Sequence, residues 1–310
     1  MTTAIFISLL TSAIRLATPL LLAALAGVYS ERSGVVNIAL EGIMISGAFF
    51  SVWFTHMTGN AWIGVLAGIL FGVATAAMLA VLAINLKGNQ VIAGTAINLL
   101  MTALTAFLLE IIWHRSGSTP TVPSMLTKNP FILLEKIPTM GTFFKQLTPF
   151  VYMAFAMVFV TYITVWKTPW GLHVRAVGEH PRAAETVGID VYKTRWVCVL
   201  ISGALAGLAG VTLSIGTVGL FREGMVAGKG FIALAALVFG KWHPLKTMLA
   251  CLFFGLCSAI NILAQSFGVN APTEFLAMIP YIATILVLIG IVGKAQGPKA
   301  SGEPYDKDEN

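Results

Sequence analysis

The sequence predicts an all-α fold: a polytopic transmembrane helical bundle of about 8–10 spans. Hydrophobic residues make up 57% of the 310 positions and charged residues only 10%, too apolar for a soluble domain of this length. Apolar stretches of spanning length recur along almost the whole chain. Between residues 34 and 109 the charged side chains are Glu41 and Lys87, with His56 beside them. The hydrocarbon layer is about 30 Å thick and needs roughly 20 apolar residues per helix, so about nine segments fit.

The first segment covers residues 4 to 29, with Arg15 near its middle. Residues 16 to 29 alone would make about 21 Å of helix, too short to cross, so Arg15 is expected to turn towards a polar interior. No Lys or Arg precedes it, unlike a secretory leader, so the first apolar run is expected to be retained. Further spans are expected at 35–57, 61–84 and 91–112. A polar connection with a short surface helix follows at 113–148, then spans at 149–167 and 196–218. Phe231 to Gly240 is an apolar run of ten residues, which suggests a half-helix or re-entrant piece. Lys241-Trp242-His243-Pro244 breaks it, and spans at 245–267 and 275–293 complete the set. Gly64, Gly68 and Gly72, and again Gly203, Gly207 and Gly210, place small residues on one helix face, which lets backbones approach within one bundle.

The net charge of +6 sits in the connections and the tail. In such a chain it reads as topology and contact with anionic membrane lipid, not nucleic-acid binding. The connection from 168 to 195 holds His173, Arg175, Arg182, Lys193 and Arg195. Lys87, Lys241, Lys246 and the tail fall on the same side when the segments are counted alternately. The positive-inside rule makes that side cytoplasmic.

No catalytic or metal-binding cluster stands out. The histidines (56, 114, 173, 180 and 243) do not pair at ligand spacing, and Cys198, Cys251 and Cys257 sit inside apolar runs as packing residues. Gly228-Lys229-Gly230 misses the phosphate-loop pattern, because it has no following hydroxyl residue and Glu223 replaces the first glycine. More telling are polar residues inside spans, which cost energy unless they face protein or water. Asn37 and Glu41 share a face, Gln90 and Asn98 flank and enter the fourth span, Asn261 and Gln265 repeat the i, i+4 spacing, and Glu274 opens the last span. They read either as a lined substrate path or as interhelical hydrogen bonds. Residues Pro181 to Gly188 form a distinct feature: Pro181 suits a first helical turn and Gly188 a C-terminal stop. A helix of two turns is marginal alone and needs a partner to pack against; a solvated loop helix is the alternative.

Three stretches, Glu31 to Gly42, Gly178 to Gly188 and Gly230 to Trp242, carry a resemblance that runs from residue 5 to 293. The chain resembles the permease subunits of bacterial ABC importers, in the branched-chain amino acid and simple-sugar permease superfamily. It is most similar there to nucleoside-importer permeases that work with a basic membrane lipoprotein. The resemblance implies a permease domain over 1–293, with a cytoplasmic coupling helix at about 180–188; the tail over 294–310 lies outside it, and its Gly, Pro and alternating charge predict a disordered cytoplasmic segment. It implies a multi-pass protein of the bacterial inner membrane that is not itself an enzyme. ATP-binding subunits carrying ATP and magnesium would dock on Pro181, Arg182, Ala183, Ala184, Glu185 and Gly188. A second related permease subunit and a substrate-binding lipoprotein would complete the assembly, and this chain would bind no cofactor. Nucleoside cargo also comes from the resemblance. Asn37, Glu41, Gln90, Asn98, Phe231, Asn261 and Gln265 are the path candidates. A simple sugar or branched-chain amino acid as cargo stays open, as do a secondary transporter, for which Glu41 is the one clear deep carboxylate, and, less favoured, a membrane enzyme.

Overall fold

A computed structural model describes residues 2–127, 129–130, 141–266 and 296–307. Among these the chain is helical, with one isolated bridge between Ser118 and Arg222. The helices are α1 (Thr2–Arg32), α2 (Leu40–Thr58), α3 (Ala61–Ala80), α4 (Gln90–Trp113), α5 (Gly141–Lys145), α6 (Pro149–Lys167), α7 (Pro169–Glu179), α8 (Pro181–Thr186), α9 (Val191–Leu213), α10 (Lys229–Phe239) and α11 (Pro244–Ser266). A π turn, Val81–Asn85, extends α3, and another, Ser214–Val218, extends α9. Six helices among the described residues are long and apolar enough to cross a membrane, and α2 adds a further long helix of 19 residues. The span expected at 275–293, with Glu274, lies outside the described residues.

α2 and α9 form the centre, packed on α1 and α3. Small residues make this packing possible. A Cβ added to Gly47 would strike the Gly207 backbone. One on Gly72 would lie 2.6 Å from the Gly203 carbonyl oxygen and 2.7 Å from the Gly207 Cα. Backbones therefore meet directly along this seam, and the glycine spacing serves packing inside the bundle. Phe49, midway along α2, packs at the end of the bundle where α4 finishes. Its ring meets Phe50, Trp113 and Phe221 edge-on, with centroids 5.2–6.0 Å apart. Here the connection after α4 runs beside the π turn of α9: Thr119 N donates to Phe221 O (2.9 Å) and Val122 N to Gly219 O (2.7 Å). Cys198, Cys251 and Cys257 are buried and unpaired.

The opposite end collects the positive charge. Arg32 donates to the carbonyls of Trp242 and Lys241, Lys87 pairs with Asp306, and Ala300 N donates to Gly178 O. Lys87, the 168–195 connection, Lys241 and the C-terminal segment thus share one face, as the alternate counting of segments requires. Residues 296–307 correct the expectation of a disordered tail. Their composition is polar, but their groups find partners on the bundle end, and Tyr305 is 6% exposed. A hydrophilic segment orders when its polar groups are satisfied by fixed partners.

Candidate functional site

Two features of the bundle are fitted to act: a broken-helix junction with an adjoining cavity, and the short helix α8. The junction starts where α1 ends. Residues 33–39 leave the helix, and α2 begins only at Leu40. The exposed peptide groups of that break are met by side chains from α4. Gln90 Oε1 accepts from Val36 N (2.7 Å), Asn98 Oδ1 accepts from Gly42 N (2.7 Å), and Asn98 Nδ2 donates to Ile38 O (2.9 Å). Asn37 Nδ2 donates to Ser202 Oγ of α9 at 2.9 Å. Gln90 and Asn98 thus supply hydrogen bonds that an interrupted helix loses, and Asn37 bonds across to α9.

Glu41, in the first turn of α2, reaches across to α10. Its Oε1 accepts from Gly228 N (2.8 Å) and its Oε2 from Gly230 N (2.7 Å). One carboxylate thereby caps the start of α10 while lying at the positive end of its own helix dipole. Gly230 permits the approach, since a Cβ there would lie 2.6 Å from Glu41 N. At its other end α10 is held by α1: Trp242 Nε1 donates to the buried Glu31 Oε2 at 2.6 Å. The eleven-residue α10 is thus the expected half-helix, pinned at both ends to the segment 31–42. Gly178 closes on the same place, because a Cβ there would strike the Arg32 carbonyl. The three stretches singled out in the sequence therefore meet at one junction.

Glu41 also borders a small cavity of about 210 Å³ with Thr102, Thr105, Phe221 and Glu223. A larger cavity of about 380 Å³ lies between α1, α9, α10 and α11, walled in part by Arg15, Thr148, Thr212, Thr217 and Lys229. This size falls within the range of small-molecule sites. Arg15 is half-buried and borders this cavity. Pro19, four residues on, has no N–H to give to the Arg15 carbonyl. Lys229 Nζ donates to the Met225 and Val226 carbonyls. Thr212 and Thr217 escaped the sequence reading, because threonines in apolar helices usually bond their own backbone, as these also do, and the π turn that carries Thr217 has no sequence signature. Asn261 and Gln265 bond each other at 2.8 Å on α11. Ile262, between them, lines the larger cavity, whereas Phe231 is 50% exposed on α10.

At the charged end, α8 spans six residues, shorter than the expected 180–188, with Pro181 at its start and Gly188 at φ +87° just beyond. Ala184 faces inward and is buried. Arg182, Ala183, Thr186 and Gly188 are exposed, Pro181 and Glu185 are half-buried, and Val187 is 74% exposed. Glu185 accepts from the Tyr305 hydroxyl and pairs with Lys307 at 3.3 Å. The Tyr305 hydrogen bond holds the Glu185 carboxyl below its ordinary value, and burial with that same bond pushes Tyr305 up to about 12.

A helical bundle with interrupted spans and a short helix projecting from its charged end is the architecture of an ABC-transporter membrane subunit. The match is to an ABC transporter solved in an inward-facing conformation, at a TM-score of 0.50 and 14% identity, covering 92% of this chain and 85% of that one. More specifically, the chain belongs to the family described as branched-chain amino acid transport system / permease component, whose model matches residues 9–292. It is 42% identical to the guanosine ABC transporter permease protein NupQ of Bacillus subtilis, and 39% identical to the nucleoside ABC transporter permease protein NupC of Lactococcus lactis. Each match covers 94% of both chains. The protein is therefore a multi-pass membrane permease subunit, not an enzyme, and it works with separate ATP-binding subunits.

Proposed function

We infer that this chain is a permease subunit of a nucleoside importer in the bacterial inner membrane. The observation that carries the cargo is the near full-length identity to two permeases named for guanosine and nucleosides. In this reading the charged end is cytoplasmic, in line with its basic residues. ATP-binding subunits, carrying ATP and magnesium, dock on the exposed side of α8. A second related permease completes the pathway, and a substrate-binding lipoprotein delivers cargo at the opposite end. The chain itself holds no cofactor.

The cavity beside Arg15 suits a hydrogen-bonding solute with an apolar face. Arg15 and Lys229 donate, threonine hydroxyls donate and accept, and the remaining wall is largely apolar, as stacking of a base requires. ATP binding and release change which opening is favoured, and α8 passes the change to the spans through α7 and the junction at Arg32. Uptake of labelled guanosine by cells with and without this chain tests the reading. Uptake should vanish without the chain, and excess unlabelled nucleoside should compete. Full competition by ribose or leucine, with none by nucleosides, rejects the cargo.

A further inference from the structure

The segment 296–307 crosses the charged end and contacts separate elements at successive residues. Ala300 N donates to Gly178 O at the end of α7 (3.0 Å), and Gly302 N to Gly34 O just past α1 (3.2 Å). Arg195 Nη1 of α9 donates to Glu303 O at 3.1 Å, and Tyr192 Oη to Tyr305 O at 3.2 Å. Asp306 pairs with Lys87, beyond the π turn of α3. The Tyr305 ring packs in an apolar cluster with Val177, Ala184 and Val191. Glu185 takes the Tyr305 hydroxyl and the Lys307 ammonium. The segment therefore packs on the side of buried Ala184 and shares a cavity of about 520 Å³ with Pro181, Arg182 and Ala183, while Arg182, Ala183, Thr186 and Val187 all stay exposed.

A helix of six residues does not hold its own position; whatever it leans on sets it. We propose that the C-terminal segment is a strut that fixes α8 to the ends of α1, α3, α7 and α9, with Tyr305 as its positioning residue, so that a push on the open side of α8 moves the spans instead of bending a loop. The proposal rests on the reading of α8 as the ATPase contact. It differs from autoinhibition, because Arg182, Ala183, Thr186 and Val187 stay exposed with the segment in place.

The test uses the transporter assembled with its own partner subunits in proteoliposomes, measuring cargo imported per ATP hydrolysed and the recovery of ATPase with the permease. Tyr305→Ala and a chain ending at residue 295 should keep ATPase recovery and hydrolysis within about twofold while lowering import per ATP at least about fivefold. Tyr305→Phe, which keeps the ring, should restore most of that loss. Unchanged import per ATP in both Tyr305→Ala and the shortened chain overturns the strut, and so does ATPase recovery that rises when the segment is removed. Val187→Asp separates the two readings: unaltered ATPase recovery in that variant rejects α8 as the contact, whatever the tail variants do.

Discussion

At the scale of single residues, two charged side chains set inside apolar spans behave differently. Glu41 is consumed by the fold, with both oxygens bonded to the α10 backbone. Hydrogen bonds to a charged group are worth about 1.5–3 kcal/mol, so Glu41→Gln, which loses the charge and one acceptor, should destabilise the protein by about that amount. Thermal unfolding in detergent reads this as a lower midpoint; an unchanged midpoint would remove the capping role. Arg15 borders the larger cavity instead. Arg15→Gln should leave insertion and ATPase recovery intact while lowering nucleoside uptake about tenfold, the loss of one charge-assisted hydrogen bond to cargo. Native uptake in this variant would move the path elsewhere.

At the scale of elements, the glycine seam and α8 make opposite demands. The seam tolerates no side chain. Gly207→Leu should cost more than the 1–3 kcal/mol typical of overpacking, because the obstructing atoms are backbone of α3. Folded yield and size-exclusion profile would show it, and a native profile would contradict the close approach. Across α8, Arg182→Glu together with Gly188→Pro should weaken ATPase binding and leave the permease inserted, since Gly188 sits at a φ proline cannot adopt. Co-purification checks this. The elements were largely legible in the sequence for physical reasons. Ten apolar residues between Gly230 and Lys241 are too few to cross a bilayer, so a half-helix was the natural expectation for α10. Small residues four apart announced the seam. The junction was only half legible: Asn98 and Gln90 had to find polar partners, but a sequence does not say whether the partner is water in a path or the peptide groups of a broken helix. The ordered tail was not legible at all. Its order comes from Gly178, Gly34, Arg195, Lys87 and Glu185, scattered over more than a hundred residues.

At the scale of the whole molecule, charge divides the bundle into two ends, and the C-terminal segment closes one of them. Its hold on α8 has a defined pH range. Glu185 titrates below its ordinary 4.5, so its contribution is present above that value and is lost as the pH falls through the depressed one. Tyr305 is raised from 10.0 to about 12, so its contribution is present below 10.0 and is lost as the pH rises towards about 12. A fluorophore on Lys299→Cys, at an exposed position of the tail, should show high, flat anisotropy between 4.5 and 10.0 and fall above that plateau. A decline centred near neutrality would mean that other groups hold the segment.

The burial of all three native cysteines has a practical reach. With Cys198 and Cys251 wholly enclosed and Cys257 nearly so, water-soluble maleimides should find little to react with on the native chain. Reporter thiols can then be installed one at a time without first stripping the natural ones, and membrane-impermeant reagents applied from either side will map sidedness on an otherwise wild-type background.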